Sequence, residues 1–310
     1  MTGAVHVHGT PRFGVVVPNS GPLADRQNIE TVARMADDLG FDSIWAIDHI
    51  VIPASDVDTF GQTVFEQLIV LSHVAGMTKR ASLGTTVMVL PYRNAVVAAK
   101  MLATLDALSG GRLILGIGSG WVEPEFRVLG VDYESRGDTT DKTLEVMKSL
   151  WSGDDLDPES EFSDIKFLPI PVQRPHPPIL VGGHSMRAFR RAVEFGQGWH
   201  PTTALPEDEL IDAVTRFLAY WQEAGRKEVP EVALGIPIRV TDGPPPDEPE
   251  IWLGARTVAG PASYVAEELA RLSQYITHFV IHPAARSSAE LLEQVEAIGL
   301  DVVPGLRVRS

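Results

Sequence analysis

Three short stretches concentrate residue types that do chemistry. Trp45-Ala-Ile-Asp-His49 places an ionisable pair at the end of an apolar run, Leu115-Gly-Ile-Gly-Ser-Gly-Trp121 is a glycine-rich run closed by an aromatic, and Leu180-Val-Gly-Gly-His-Ser185 ends an apolar run in two glycines. An imidazole that ionises near neutrality suits proton transfer, which makes His49 the candidate acid or base. Asp48 could fix the tautomer of His49 or contact a ring nitrogen of a cofactor. Gly182 and Gly183 permit close backbone approach, and Ser185 has the character of an N-cap for a following helix, where unpaired amides and the helix dipole favour an anion such as phosphate. An ordinary tight turn between strand and helix would use the same residues.

The run Gly116, Gly118, Gly120 could let a flat ligand lie against backbone, or could serve packing alone in a narrow barrel. It is not a dinucleotide fingerprint: counting from Gly116, the third glycine position of G-x-G-x-x-G holds Trp121, and Glu123-Pro124 argues against an immediately continuing helix. The chain has no cysteine, which excludes disulfides, thiolate metal sites and cysteine nucleophiles. His6, His8, His176, His200, His278 and His282 show no metal-ligand spacing, so no metal is expected; His200 and His282 fall at strand ends, where lone histidines ordinarily hydrogen-bond loops. Neither a G-x-S-x-G elbow nor a phosphate-binding Walker loop is found.

These stretches need a scaffold that presents them together. Apolar β-rich runs at Phe13 to Val17, Ser43 to Ile47, Leu83 to Val89, Arg112 to Gly116, Pro178 to Val181, Trp199 to Pro201, Val232 to Val240 and Thr277 to Ile281 alternate with helical-period segments. The helices are expected over 28–39, 64–76, 95–108, 139–151, 185–195 and 208–225, around Val265, Leu269 and Leu272, and over 289–298. Eight strands, each followed by a helix and too apolar to keep one face wet, predict a single-domain α/β fold over 1–310, a (β/α)8 barrel, in preference to a doubly wound sheet. Catalytic groups then belong on the loops after the strands. A loop insertion follows the fourth unit at 152–177, expected as an excursion over the barrel mouth, and a proline-rich excursion spans 241–258.

A formal charge of −15 on 310 residues, with no Lys/Arg cluster interleaved with aromatics, predicts no nucleic-acid partner. No apolar run approaches the roughly 18 residues of a membrane span, and the N-terminus lacks a secretory pattern, so a cytoplasmic protein is expected.

Taken together, Ile44-Trp-Ala-Ile-Asp-His-Ile50, Gly110-Gly-Arg-Leu-Ile-Leu-Gly-Ile-Gly-Ser-Gly-Trp121, Arg136 before a helix, and Pro171-Val-Gln-Arg-Pro-His-Pro-Pro-Ile-Leu-Val-Gly-Gly183 resemble the luciferase-like monooxygenase superfamily over roughly residues 12–285. Within it the chain is most similar to the F420-dependent oxidoreductases; FMN-using relatives share the barrel. The resemblance implies coenzyme F420, or alternatively FMN, with its phosphate on Gly182, Gly183, His184 and Ser185. It implies a ring across the mouth against an irregular third-strand end at Val87, Met88 and Val89, with Asp48 near the pyrimidine edge and Gly118, Ser119, Gly120 and Trp121 lining the same cleft. His49 is then the proton donor or acceptor for hydride exchange with a small organic substrate, and a homodimer is implied. Sugar-phosphate dehydrogenases of this class carry a glutamate after the strand-four G-x-G, where this chain has Ser119-Gly120-Trp121. Two rivals differ in kind: a lyase or isomerase that holds its substrate's own phosphate at Gly182 to Ser185, and a flavin-binding protein without turnover.

A carboxylate introduced into the anion site by Gly183→Asp should weaken binding of the phosphate-bearing cofactor by more than about tenfold, or about 1.4 kcal/mol. Equilibrium titration measures this, and unchanged affinity would remove the site.

Overall fold

The computed structural model describes residues 10–153, 159, 161–201, 205–248, 250–252 and 254–307, with the side chains of 58 and 59 set aside. His6 and His8, together with 154–158, 160, 249 and 253 of the two excursions, lie outside the described residues.

Eight parallel strands close on themselves: β1 (Arg12–Val16), β2 (Ser43–Ala46), β3 (Ser82–Thr85), β4 (Leu113–Gly118), β5 (Ile179–Gly182), β6 (Gly198–His200), β7 (Glu231–Val240) and β8 (His278–Pro283). Each pairs with its neighbours in sequence, and β8 pairs with β1 to shut the ring. Nine helices are used below: α1 (Arg26–Leu39), α2 (Gln67–Ala75), α3 (Ala95–Ser109), α4 (Glu123–Leu129), α5 (Arg136–Trp151), α6 (Met186–Phe195), α7 (Glu207–Glu223), α8 (Ala262–Leu272) and α9 (Ser288–Ala297). The (β/α)8 barrel read from the sequence is the fold. Among the described residues no helix is long and apolar enough to cross a membrane.

Local chemistry sets the helix ends. Asp25 accepts the amide of Asn28 and Asn94 those of Val96 and Val97, while α1 and α3 stop at Gly40 and Gly110, both with positive φ. Between strands and helices, Leu102, Leu144, Phe189, Phe217 and Val265 are buried in one large core. A second, smaller cluster fills the barrel itself around Trp45, with Val16, Ile114, Leu180, Ala233 and Val280. The indole fits only because its neighbours have no side chain: a Cβ on Gly84 would lie 2.2 Å from ring carbons of Trp45, and one on Gly14 2.4 Å from its Nε1.

Three expectations need correction. The third strand is not continuous from Leu83 to Val89. Gly84 pairs with Ile114 and Met88 with Ile117, so four steps along one strand oppose three along the other, and one extra residue bulges out. The Thr86–Val87 peptide in this bulge is cis, and Met88–Val89 resumes as a separate short strand. Secondly, Pro124 does not prevent a helix after the glycine run. It sits in the first turn of α4, where its missing N–H would have had no helical partner. Thirdly, the described part of 152–177 does not cover the mouth. A segment joining the end of a helix to the start of the next strand must lie on the face where strands begin. There Asp106 of α3 accepts the amides of Val172 and Gln173, and the Gln173 side chain donates to the carbonyl of Leu113, the first residue of β4. The 241–258 excursion follows a strand, and its described residues include a small hairpin, Ile251–Trp252 against Ala255–Arg256.

Gly84→Ala should lower the urea unfolding midpoint by the equivalent of about 1–3 kcal/mol, the usual cost of overpacking a closed core. An unchanged midpoint would show that Trp45 can move aside.

Candidate active site

The mouth of the barrel holds a cleft of about 760 Å³ lined by the loops after β2, β3, β4, β5 and β6. Of the residues singled out in the sequence, Asp48, His49, Val87, Val89, Gly118, Ser119, Gly120, Trp121, Gly182, Gly183, His184 and Ser185 all reach its wall. Met88 does not: its side chain is fully buried in the large core, because alternation along a strand turns it away from Val87 and Val89.

His49 is nine-tenths buried, and its Nδ1 lies 2.8 Å from Oε2 of Glu125 on α4. The Asp48–His49 pairing considered from the sequence is therefore not made. Consecutive side chains leaving a strand diverge, and Asp48 faces the other way. Its carboxylate is fully buried, gripped by both Arg93 Nη atoms at 2.7 and 2.8 Å and by the Val89 amide at 2.8 Å. Asp48 thus anchors the far end of the bulge with a carboxylate enclosed by protein.

Glu125 is the centre of this half of the cleft. Its Oε1 accepts the amides of Ile50 and Val51 at 2.8 and 3.2 Å, and its Oε2 accepts the Tyr92 hydroxyl at 3.0 Å in addition to His49. Burial alone would push its carboxyl up, but the bond from His49 and the backbone amides outweigh that and hold it below the usual carboxylate range. Burial and the neighbouring Glu125 charge push the Tyr92 phenol above its ordinary range, so it remains a donor. An ionised carboxylate can only accept, so Nδ1 of His49 carries a proton and a neutral ring presents Nε2 as the base. The ring packs 4.8 Å from Phe60, which is 6.0 Å from Trp121 at the rim.

Three strands further round, β5 ends in Gly182-Gly183. Gly183 takes φ +100°, Trp199 of β6 pins its carbonyl at 2.7 Å, and Ser185 caps α6 by accepting the Ala188 amide. Sequence reasoning missed the cations around this cradle. Arg191, on α6, is buried and donates to Gly137 O at 2.9 Å, to Asp141 at 2.5 Å and to Ser119 Oγ at 3.3 Å. Arg187, one helical turn earlier, pairs with Asp138 and Asp141, and Arg136 stacks on Tyr133. The signal was present: arginines spaced i, i+4 on the helix whose N-terminus forms the cradle lie on one face. Glu125 left no such signal, since nothing in its spacing ties it to a residue 76 positions earlier.

Between these two regions the cleft is floored by Val87 and by glycines of β4 and β5. A Cβ on Gly118 would come within 2.8 Å of Val87, so this glycine leaves room for the bulged side chain, while one on Gly182 would lie 3.1 Å from the Ile117 carbonyl and in ordinary contact with Val87. His200 closes the bottom: its Nε2 is buried without a hydrogen-bond partner among the described residues, and burial pushes its pKa down to about 4, leaving it neutral.

Comparison with known proteins places these features in a family. Residues 10–301 match the description "Luciferase-like monooxygenase". An uncharacterized protein of Mycobacterium tuberculosis is 31% identical over 211 residues, 63% of this chain and 72% of that one. An F420-dependent glucose-6-phosphate dehydrogenase of Amycolatopsis mediterranei is 28% identical over 224 residues, 70% and 65% of the two chains. An FMNH(2)-dependent dimethylsulfone monooxygenase of Pseudomonas putida is 29% identical over 178 residues, 55% and 47%. The monooxygenase RslO1 from Streptomyces bottropensis shares the fold, with a TM-score of 0.77 at 20% identity over 95% of this chain and 99% of that one.

A carboxylate held below its ordinary range stabilises the fold at pH values above the unfolded pKa, near 4.3, and loses that contribution as pH falls through its folded value. Glu125→Gln should therefore cost about 1.5–3 kcal/mol of unfolding free energy at pH 7 and distinctly less at pH 3. Urea titrations at both pH values measure this, and an equal cost at each would contradict an ionised Glu125.

Proposed function

Since the chain belongs to the luciferase-like monooxygenase family, we propose that it is an F420-dependent oxidoreductase that moves a hydride to or from a small organic substrate. The observation that carries the proposal is the joining, in one cleft, of a glycine anion cradle, a floor of Val87 and glycines, and a histidine oriented by a buried carboxylate. Members of the family are oxidoreductases or monooxygenases, and the relatives named above include both F420 and FMN enzymes. The F420 relative aligns over 70% of this chain and the FMN relative over 55%, which supports F420.

The residues fit such a cofactor. Gly182, Gly183, His184 and Ser185 would hold its phosphate, with Arg191 and Arg136 supplying positive charge beside it. Val87, backed by Gly118 and Gly182, offers an apolar seat for a planar ring. Bound there, a deazaflavin supplies a carbon that donates or accepts hydride. His49 then holds or takes the accompanying proton at Nε2, Glu125 stabilises the imidazolium that results, and Phe60 and Trp121 limit the access of water. The second reading, an FMN-dependent monooxygenase, is supported by the Pseudomonas relative. The proposal extends to a cytoplasmic homodimer, supported by the apolar residues Ile69 of α2 and Val96 and Val97 of α3, which are exposed on neighbouring helices.

Titration of the purified protein with F420 and separately with FMN, followed by tryptophan and cofactor fluorescence, should show selective binding of F420. Selective FMN binding moves the assignment to the monooxygenase, and binding of neither overturns both. In the F420-bound enzyme, His49→Ala should lower turnover by roughly 10²- to 10⁴-fold while sparing cofactor affinity; equal rates would remove His49 from the chemistry.

A further inference from the structure

A second cavity, of about 820 Å³, opens beside the cleft. Its walls come from the end of β1 at Val17, Leu23 before α1, the turn ending in Phe60, Trp252 of the 241–258 hairpin, His282 of β8 and Leu291 of α9. Ile47, Phe60 and His282 line both cavities, so an occupant of one abuts an occupant of the other.

The two cavities differ in charge. The cleft is bordered by Asp48, Glu134, Arg136, Arg187 and Arg191, whereas the described residues lining the second cavity include no Asp, Glu, Lys or Arg. An ion entering it would meet no charged partner among the described residues. Its built-in polar groups are largely spent on the fold. Asn19 donates to the carbonyls of Ile47 and Phe65 and accepts the Ile47 amide, and Ser20 donates to Phe60 O. Like the side chains of Gln62 and Thr63 and the Trp252 indole, the His282 ring has no hydrogen-bond partner among the described residues, and of these groups it alone stands where the cavities meet. Burial pushes its pKa down to about 4, so near neutrality it is an uncharged imidazole with one donor and one acceptor.

We propose that this second cavity is the substrate site, and that it takes an uncharged, largely apolar molecule of ring size whose one carbonyl or hydroxyl oxygen hydrogen-bonds His282 at the junction. A phosphorylated sugar does not fit this chemistry, although one F420 relative acts on glucose 6-phosphate. The role as a substrate site rests on the cofactor assignment for the neighbouring cleft; the ligand class rests on the lining alone.

The test is calorimetric titration of the F420-loaded protein, and of the protein without cofactor, with 2-acetylnaphthalene, 2-ethylnaphthalene, 2-naphthoate and glucose 6-phosphate. The ketone should bind at least tenfold more tightly than the carboxylate of the same ring system, and more tightly than the hydrocarbon. His282→Phe should erase the ketone's advantage over 2-ethylnaphthalene. Gln62→Arg, on the exposed rim of the second cavity, should raise 2-naphthoate affinity several-fold and leave F420 affinity unchanged. Naphthoate or glucose 6-phosphate binding as tightly as the ketone, or a ketone affinity unmoved by His282→Phe, overturns the proposal. F420 binding without selective ketone binding overturns the cavity assignment and leaves the cofactor assignment standing. Ketone binding to a protein that takes neither F420 nor FMN supports the ligand class and overturns the cofactor assignment.

Discussion

The buried carboxylate of Glu125 is the contact on which the active half of the cleft depends. One side chain satisfies the amides of Ile50 and Val51, the Tyr92 hydroxyl and Nδ1 of His49, and so ties the loop after β2 to α4 and to the segment following the third-strand bulge. Removing it would leave these buried donors without partners. The same contact decides the chemistry. A carboxylate kept ionised by its donors dictates which nitrogen of His49 carries the proton and leaves the other to act at the cleft.

Around that anchor the mouth is divided by electrostatics. The β5 side gathers Arg136, Arg187 and Arg191, tempered by Asp138 and Asp141, beside a glycine turn and a helix N-terminus, as an anionic tail requires. The described residues lining the β1 and β8 side carry no charge. Phe60 and His282 stand on the boundary, so a charged, extended cofactor and a neutral reactant could meet with little mixing of their environments. Asp48 and Arg93 hold the bulge at the edge of the cleft.

Periodicity made the barrel legible, because each strand is buried on both faces and each helix on one, patterns that survive without tertiary knowledge. The glycine positions were legible too: Gly118 and Gly182 mark close approaches that a side chain would crowd, and Gly183 a positive φ. What the sequence hid were pairings across the mouth. His49 stands next to Asp48 in the chain, yet its partner is Glu125 on a helix whose Pro124 argued against any helix there. The bulge at Val87 was anticipated only through family resemblance, and the described part of 152–177 lies on the face opposite to the one expected because its composition, unlike its position between a helix and a strand, carries no direction.

The protonation of His49 is the most direct measurement. Side-chain ¹⁵N–¹H correlation spectra of the protein near neutral pH, with the His49 signals assigned by their loss in His49→Ala, report which ring nitrogen bears the proton and how F420 perturbs it. A ring protonated at Nδ1, whose Nε2 resonance shifts as F420 binds, is the expected result. A ring protonated only at Nε2, or an Nε2 resonance indifferent to saturating cofactor, would contradict a Glu125-oriented base facing the cleft.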